Sequence, residues 1–230
     1  MIYPIIILIA TTLLVAMLTL FIFPKILPVF QNLGAELPFA TRVLMAVSNF
    51  LQAYGVYVLG GAIAFFAAFY GAIKIEKIRY AWHWLILRIP LVGSLSRSVN
   101  MASFSRTLGI LLRSGVKIVE ALNITSETLD NLVYHRQLSV MANTIQKGEQ
   151  ISQYLAQHEF LFPTMLTNMI TVGENTGNLS ETLLYLSEFY EEDVEEVLKN
   201  LSSIIEPFLL LFMGVLVGFI ALSVVTPIYQ

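Results

Sequence analysis

The sequence predicts an all-α membrane protein with three transmembrane helices and one cytoplasmic helical-bundle domain. Three observations carry that prediction. Of 230 residues, 57% are hydrophobic and 13% charged, with a mean hydropathy of +0.74; soluble domains carry about 25% charged residues. The charges are also unevenly spread: Met1–Pro24, Val43–Ile73 and Pro207–Gln230 contain none. Each of these runs reaches the roughly 20 apolar residues that cross a bilayer core. The long stretch between the second and third runs is polar and helically periodic, and it shows neither alternating strand pattern nor Asn-Gly hairpin.

The elements follow in order. The first span covers residues 1–23, its apolar core running from Pro4 to Phe23. It lacks the basic start and small-residue cleavage site of a signal peptide. Because it begins almost at Met1, no leading cytoplasmic segment is expected. An external loop, residues 24–49, contains Pro24, Pro28 and Pro38, and Lys25 to Phe30 is expected to lie flat at the interface. The second span covers 50–73. A cytoplasmic helical domain, 74–206, precedes the third span at 207–227.

Orientation comes from the basic residues. Lys25 and Arg42 are the cations of the first loop, whereas Lys74, Lys77, Arg79, Arg88 and Arg97 follow the second span. Positive flanks stay in the cytoplasm, which puts the large domain there and Gln230 outside.

Within the domain, Met101, Phe104, Leu108, Leu111 and Leu112 form one helical face ending at Gly115. A second helix from Val116 carries Val119, Leu122 and Ile124. Asp130 or Asn131 caps a third, with Leu138, Met141 and Ile145 inside, ending near Gly148. A short helix from Glu149 precedes one opened by Pro163 at its first turn and closed at Gly173–Gly177. Asn178 then caps the longest helix, with Glu181 placed for a capping box. Leu183, Leu186, Tyr190, Val194, Val197, Leu201 and Ile204 repeat along it, and Pro207 predicts a kink, not a stop. The last helix of the domain thus continues into the third span, so movement of one carries the other.

Several chemistries are excluded. Without cysteine there is no disulfide, thiolate nucleophile or Cys-ligated metal. No Walker phosphate loop and no HExxH occur, and His83, His135 and His158 are scattered. His135 and His158 read as solvated, and His83, between Trp82 and Trp84, as part of an interfacial aromatic belt. Glu188, Glu192 and Glu195 share a helix face that a hard cation could use, but a solvated face is the simpler reading, with Glu195 and Lys199 paired at i, i+4.

Lys74–Gly115 carries a net charge of +6 and Val116–Glu206 one of −10. The basic part suits anionic lipid headgroups; the acidic part, with Glu191, Glu192, Glu195 and Glu196, suits a basic partner and disfavours nucleic acid. The spans hold no ionisable residue of the kind carriers use. They hold small residues instead, at Gly60, Ala64 and Ala68, and at Gly214 and Gly218 in GxxxG spacing, which favours helix packing and a homo-oligomer. A small transporter or channel subunit is the alternative from a different class, and an enzyme of lipid chemistry would want a clustered His/Asp/Glu site near the interface.

Two stretches resemble a known family. Phe104-Ser-Arg-Thr-Leu-Gly-Ile-Leu-Leu-Arg-Ser-Gly115-Val116, followed by Glu120-Ala-Leu122, resembles the opening of the F domain of type II secretion systems. Phe162-Pro163 and Val172-Gly-Glu-Asn-Thr-Gly-Asn-Leu179 resemble its second signature. Leu37-Pro38-x-x-Thr41, Phe189-Tyr-Glu-Glu192, Glu206-Pro207 and Pro227-Ile228 are similar as well. The resemblance implies an inner-membrane platform protein of type IV pilus or type II secretion machines, without catalytic residue or obligatory cofactor. Implied partners are an assembly ATPase, pilins or pseudopilins and other inner-membrane assembly proteins, in the bacterial inner membrane. Such proteins have two homologous cytoplasmic domains, and this chain resembles the C-terminal half. Arg106, Gly115, Gly173, Glu174, Gly177 and Pro207 are the structural residues of the motifs. The three glycines are expected at helix ends; a sharper alternative pairs Arg106 with Glu174 inside the bundle.

Overall fold

The computed structural model describes residues 2–17 and 39–225, and every described segment of any length is helical. The predicted loop up to Pro38, the end of the first span and Pro227-Ile228 lie outside the described residues. Helix α1 is Ile2–Met17 and α2 is Phe39–Ile73. α2 begins well before Phe50, directly after Pro38, a place ahead of the first helical turn where proline costs no intrahelical bond. Then come α3 (Glu76–Arg88), α4 (Val92–Arg113), α5 (Ile118–Thr128), α6 (Leu132–Ile145), α7 (Ile151–Ala156), α8 (Thr164–Thr176) and α9 (Leu179–Val225). α9 runs through Pro207 without ending.

The chain divides into two units. One comprises residues 1–68 and 199–230. Many of its large apolar side chains are exposed, Val56 at 85% and Phe66 and Leu211 at 68%. Helices apolar on all sides require a non-aqueous surround. By length and hydropathy, Gln52–Ile73 and a segment of α9 are each able to cross a bilayer. Thr11 hydroxyl contacts the Ile7 carbonyl at 2.7 Å and Met213 sulfur at 3.2 Å, one polar link between α1 and α9.

The other unit, residues 69–198, has an ordinary buried core. α3 packs on α4 and α6, α4 on α5, α5 on α6, α6 on α7, and α7 on α8. Leu183, Leu186 and Tyr190 of α9 join the same core. The predicted stripe residues Met101, Phe104, Leu108, Leu122, Leu138 and Met141 are all fully buried. The caps follow local chemistry. Asn131, not Asp130, accepts the amide of Val133 at 2.9 Å, the N-cap geometry that satisfies an orphan donor. Gly115 and Gly177 adopt φ of 83° and 72°, the left-handed conformation that closes a helix. Their successors Val116 and Asn178 donate to Leu111 and Gly173 carbonyls at 3.0 and 2.9 Å. This last bond alters the expected capping box: Asn178 amide is already committed, and its side chain meets Glu181 at 3.1 Å instead.

Candidate partner-binding surface and the residues that frame it

The acidic run lies on α9 where that helix covers the bundle. Glu188, Glu192, Glu195 and Glu196 are exposed, while Glu191 and Asp193 are half-buried. Helical geometry separates these groups. Asp193 accepts from the Ser98 hydroxyl at 2.5 Å and Glu191 pairs with Arg106 at 2.5 Å, both tying α9 to α4. The Arg106–Glu191 pair is about half exposed and contributes at most about 1 kcal/mol. What remains free to meet a partner is the outer row of Glu188, Glu192, Glu195 and Glu196. Among the described residues no group of three or more His, Asp or Glu side chains is gathered to hold a cation.

Arg106 and Glu174 are therefore not partners, a correction to the sequence expectation. Glu174 has another role: its carboxylate accepts the amides of Ile151 at 2.7 Å and Ser152 at 2.9 Å. These are the first two residues of α7, whose opening turn has no intrahelical partners for its amides. The N-cap position, Gln150, makes no side-chain cap bond, so α8 supplies the cap in trans. Sequence spacing could not reveal a bond across more than twenty residues to backbone donors.

Gly173 is the second correction. It lies in the last turn of α8 and its carbonyl takes the closing bond from Asn178, but it lacks the left-handed φ of Gly177. It is buried, and an added Cβ would lie 2.9 Å from Thr182 Oγ1 and 3.2 Å from Leu179 Cα. The absent side chain allows α8 and α9 to approach closely. Gly173→Ala is expected to destabilise the bundle by about 1–3 kcal/mol through overpacking, read as a lowered thermal midpoint with unchanged helicity at low temperature.

The two signature stretches meet in an aromatic cluster. Phe162 lies 6.2 Å from Phe104 and 5.7 Å, edge-on, from Tyr134. Tyr134 donates its hydroxyl to the Leu161 carbonyl at 2.8 Å. Burial pushes its pKa well above the usual tyrosine range, so it stays a neutral donor. Tyr134 escaped sequence analysis; an aromatic at a core-facing position of the third helix was its only signal.

His83 is a third correction. Neighbouring helical residues point about 100° apart, so Trp82 and Trp84 face out while His83 turns into the bundle. Its Nδ1 accepts the Leu132 amide at 3.0 Å, which requires the neutral ring. His135 and His158 are half-buried, with Nδ1 at 2.7 Å from the Ser126 carbonyl and 3.0 Å from the Tyr154 carbonyl. Burial lowers the His83 pKa below the ordinary 6.5; Arg79 adds to the shift and Asp130 opposes it. On acidification the unfolded chain binds this proton before the folded one. The contribution of His83 is thus complete above about pH 6.5 and drains as pH falls through the lower folded value. His83→Phe is expected to have a lower thermal midpoint at pH 7.5 but a flatter decline to pH 5.5 than the parent chain.

Gly60, Ala64, Ala68, Gly214 and Gly218 are exposed, and a Cβ at Gly60, Gly214 or Gly218 would meet nothing within 4 Å.

Described residues that are helical, two of their helices able by length and hydropathy to cross a bilayer, together with a unit that has its own buried core, define a helical membrane protein. Residues 104–227, more than half of the chain, match the family described as type II secretion system protein F, and the chain belongs to that family. It is 38% identical, over its whole length, to type IV pilus assembly protein PilC of Thermus thermophilus, covering 57% of that protein. It is 35% identical over 99% of its length to type II secretion system protein F of Pseudomonas aeruginosa, covering 56%. Type IV pilus assembly protein PilC of Myxococcus xanthus is 32% identical over the whole chain, which covers 55% of it. The chain thus spans little more than half the length of these curated relatives. None of their names carries a catalytic activity.

Proposed function

We propose that this chain is a non-enzymatic membrane platform for assembly of type IV pili or type II secretion pseudopili, coupling a cytoplasmic assembly ATPase to pilin insertion. The observation that carries the reading is end-to-end similarity to relatives named for those two machines. In this reading three helices cross the bacterial inner membrane. The bundle lies in the cytoplasm, and the C-terminus lies outside. The small-residue faces at Gly60, Ala64 and Ala68 and at Gly214 and Gly218 pack against a second copy or another assembly protein. The exposed row Glu188, Glu192, Glu195 and Glu196 offers the ATPase a charged surface.

The test is capture of the assembly ATPase from the same cell by the full chain in lipid nanodiscs, at low and high salt. Salt-sensitive capture supports the reading, because exposed charge contacts are screened at high ionic strength. Joint replacement of Glu188, Glu192, Glu195 and Glu196 by glutamine is expected to weaken capture. Unchanged capture in that variant removes the acidic face as the contact, and no capture by the folded parent chain removes the coupling role from this chain.

A further inference from the structure

Helix α3 has two unlike sides. Leu87 is buried, Tyr80 packs against the core, and His83 holds the Leu132 amide. On the opposite side Ile78, Trp82 and Leu85 follow at i, i+4 and i+7, all exposed, and Ile89, Leu91 and Val92 extend the apolar surface around the corner into α4. A helix side facing water has no reason to carry this stripe, and inside a soluble domain the stripe would be covered.

Cations rim the same surface. Arg88 stacks 3.7 Å over the Trp84 ring, and Lys74 lies 5.3 Å from the Tyr70 ring. Lys77 is exposed beside them. The one acidic residue of α3, Glu76, is engaged by Arg136 at 2.8 Å. An apolar stripe bordered by tryptophan and basic side chains is the pattern of a helix lying in the headgroup layer.

Two further features point to lipid as the occupant. The Trp82 ring packs edge-on against Phe69 at 5.5 Å, in the last turns of the Gln52–Ile73 segment that is able to cross a bilayer. The stripe therefore begins directly after that candidate span. At the far end, Leu91 holds φ 67°, ψ −57° in a tight turn closed by Val92 N–H to Pro90 carbonyl at 2.9 Å. This strained conformation at a leucine that is 62% exposed presents an apolar side chain outward.

We propose that α3 and the Ile89–Val92 corner form an interfacial anchor that docks onto an anionic lipid surface through Ile78, Trp82, Leu85 and Leu91, with Lys74, Lys77 and Arg88 on the headgroups. The proposal is independent of which assembly machine the chain serves.

Trp82 and Trp84 are the only tryptophans in the chain, so tryptophan fluorescence, excited selectively beyond the tyrosine absorption, reads this helix alone. The full chain is placed in bilayers of phosphatidylcholine, with and without phosphatidylglycerol, and quenched by brominated acyl chains and by aqueous acrylamide. Strong bromolipid quenching, enhanced by phosphatidylglycerol, is expected. Lys77→Glu with Arg88→Glu should cut the enhancement roughly twofold or more, as loss of headgroup attraction requires. Leu91→Trp in a Trp82→Phe, Trp84→Phe background reads the far end, and it too should be quenched from the lipid side. Circular dichroism of each variant confirms its helicity, and the parent chain alone decides the matter if a variant misfolds. Strong acrylamide quenching without bromolipid quenching overturns the proposal. Shielding from both quenchers also overturns it, in favour of a covering protein. Equal bromolipid quenching with and without phosphatidylglycerol overturns the anionic requirement.

Discussion

Phe162→Ala should cost the helical bundle about 3–5 kcal/mol, the range for truncating a fully buried phenylalanine. Phe162 is fully buried, touches Phe104 and Tyr134, and joins the α7–α8 connection to α4 and α6. The cavity would open at the meeting point of three segments and could not collapse by moving any one of them. With a total stability of about 5–15 kcal/mol for a typical domain, the loss would be visible as a large fall in the thermal midpoint of the full chain in detergent. Phe160→Ala is the control. That ring is about half exposed and meets Arg97 at 5.5 Å, so its removal is expected to cost about 1 kcal/mol or less. Similar losses from both substitutions would refute the assignment of Phe162 as the core joint.

The second large effect belongs to Glu174. Glu174→Ala removes two charge-assisted bonds to the Ile151 and Ser152 amides, and a loss of about 2–3 kcal/mol is expected. Charge at the start of a helix adds to those bonds through the favourable end of the backbone dipole. Glu174→Gln should recover no more than half. Its carbonyl can accept one amide, but its NH2 group then faces the other, donor against donor. Hydrogen exchange provides a local readout: the Ile151 and Ser152 amides should lose protection in both variants, while the Val133 amide, capped by Asn131, should keep it. Intact protection at Ile151 and Ser152 in the alanine variant would show that the carboxylate is not the cap.

These residues also show where sequence reasoning reached and where it stopped. Helical periodicity placed the buried faces of α4 and α6 and the first part of the α9 stripe, Leu183, Leu186 and Tyr190, because a 3.6-residue repeat maps onto which side of a helix meets the core. Ile124 of α5 and Ile204 of α9, on stripes predicted in the same way, are exposed. Gly115 and Gly177 were legible as helix closers because the left-handed backbone excludes most side chains. Gly173 carried the same letter for a different reason, close approach of two helices, and nothing local separates the two uses. Arg106 and Glu174 were paired from sequence because opposite charges beside apolar stripes suggest each other. The structure gives each a partner from a different segment, Glu191 for one and the α7 amides for the other.

By itself the sequence determined that this protein is helical, that part of it belongs in lipid, and which faces of its helices are apolar. Those properties follow from composition and short periodicity, which act through neighbours a few residues apart. The tertiary structure alone decided that His83 turns inward while its tryptophan neighbours face out. It also decided that α8 caps α7 and that Phe104, Tyr134 and Phe162 share one cluster. Each of these depends on how chain segments tens of residues apart are brought together, and hydrogen bonds and van der Waals contacts are resolved only at that range of a few ångströms.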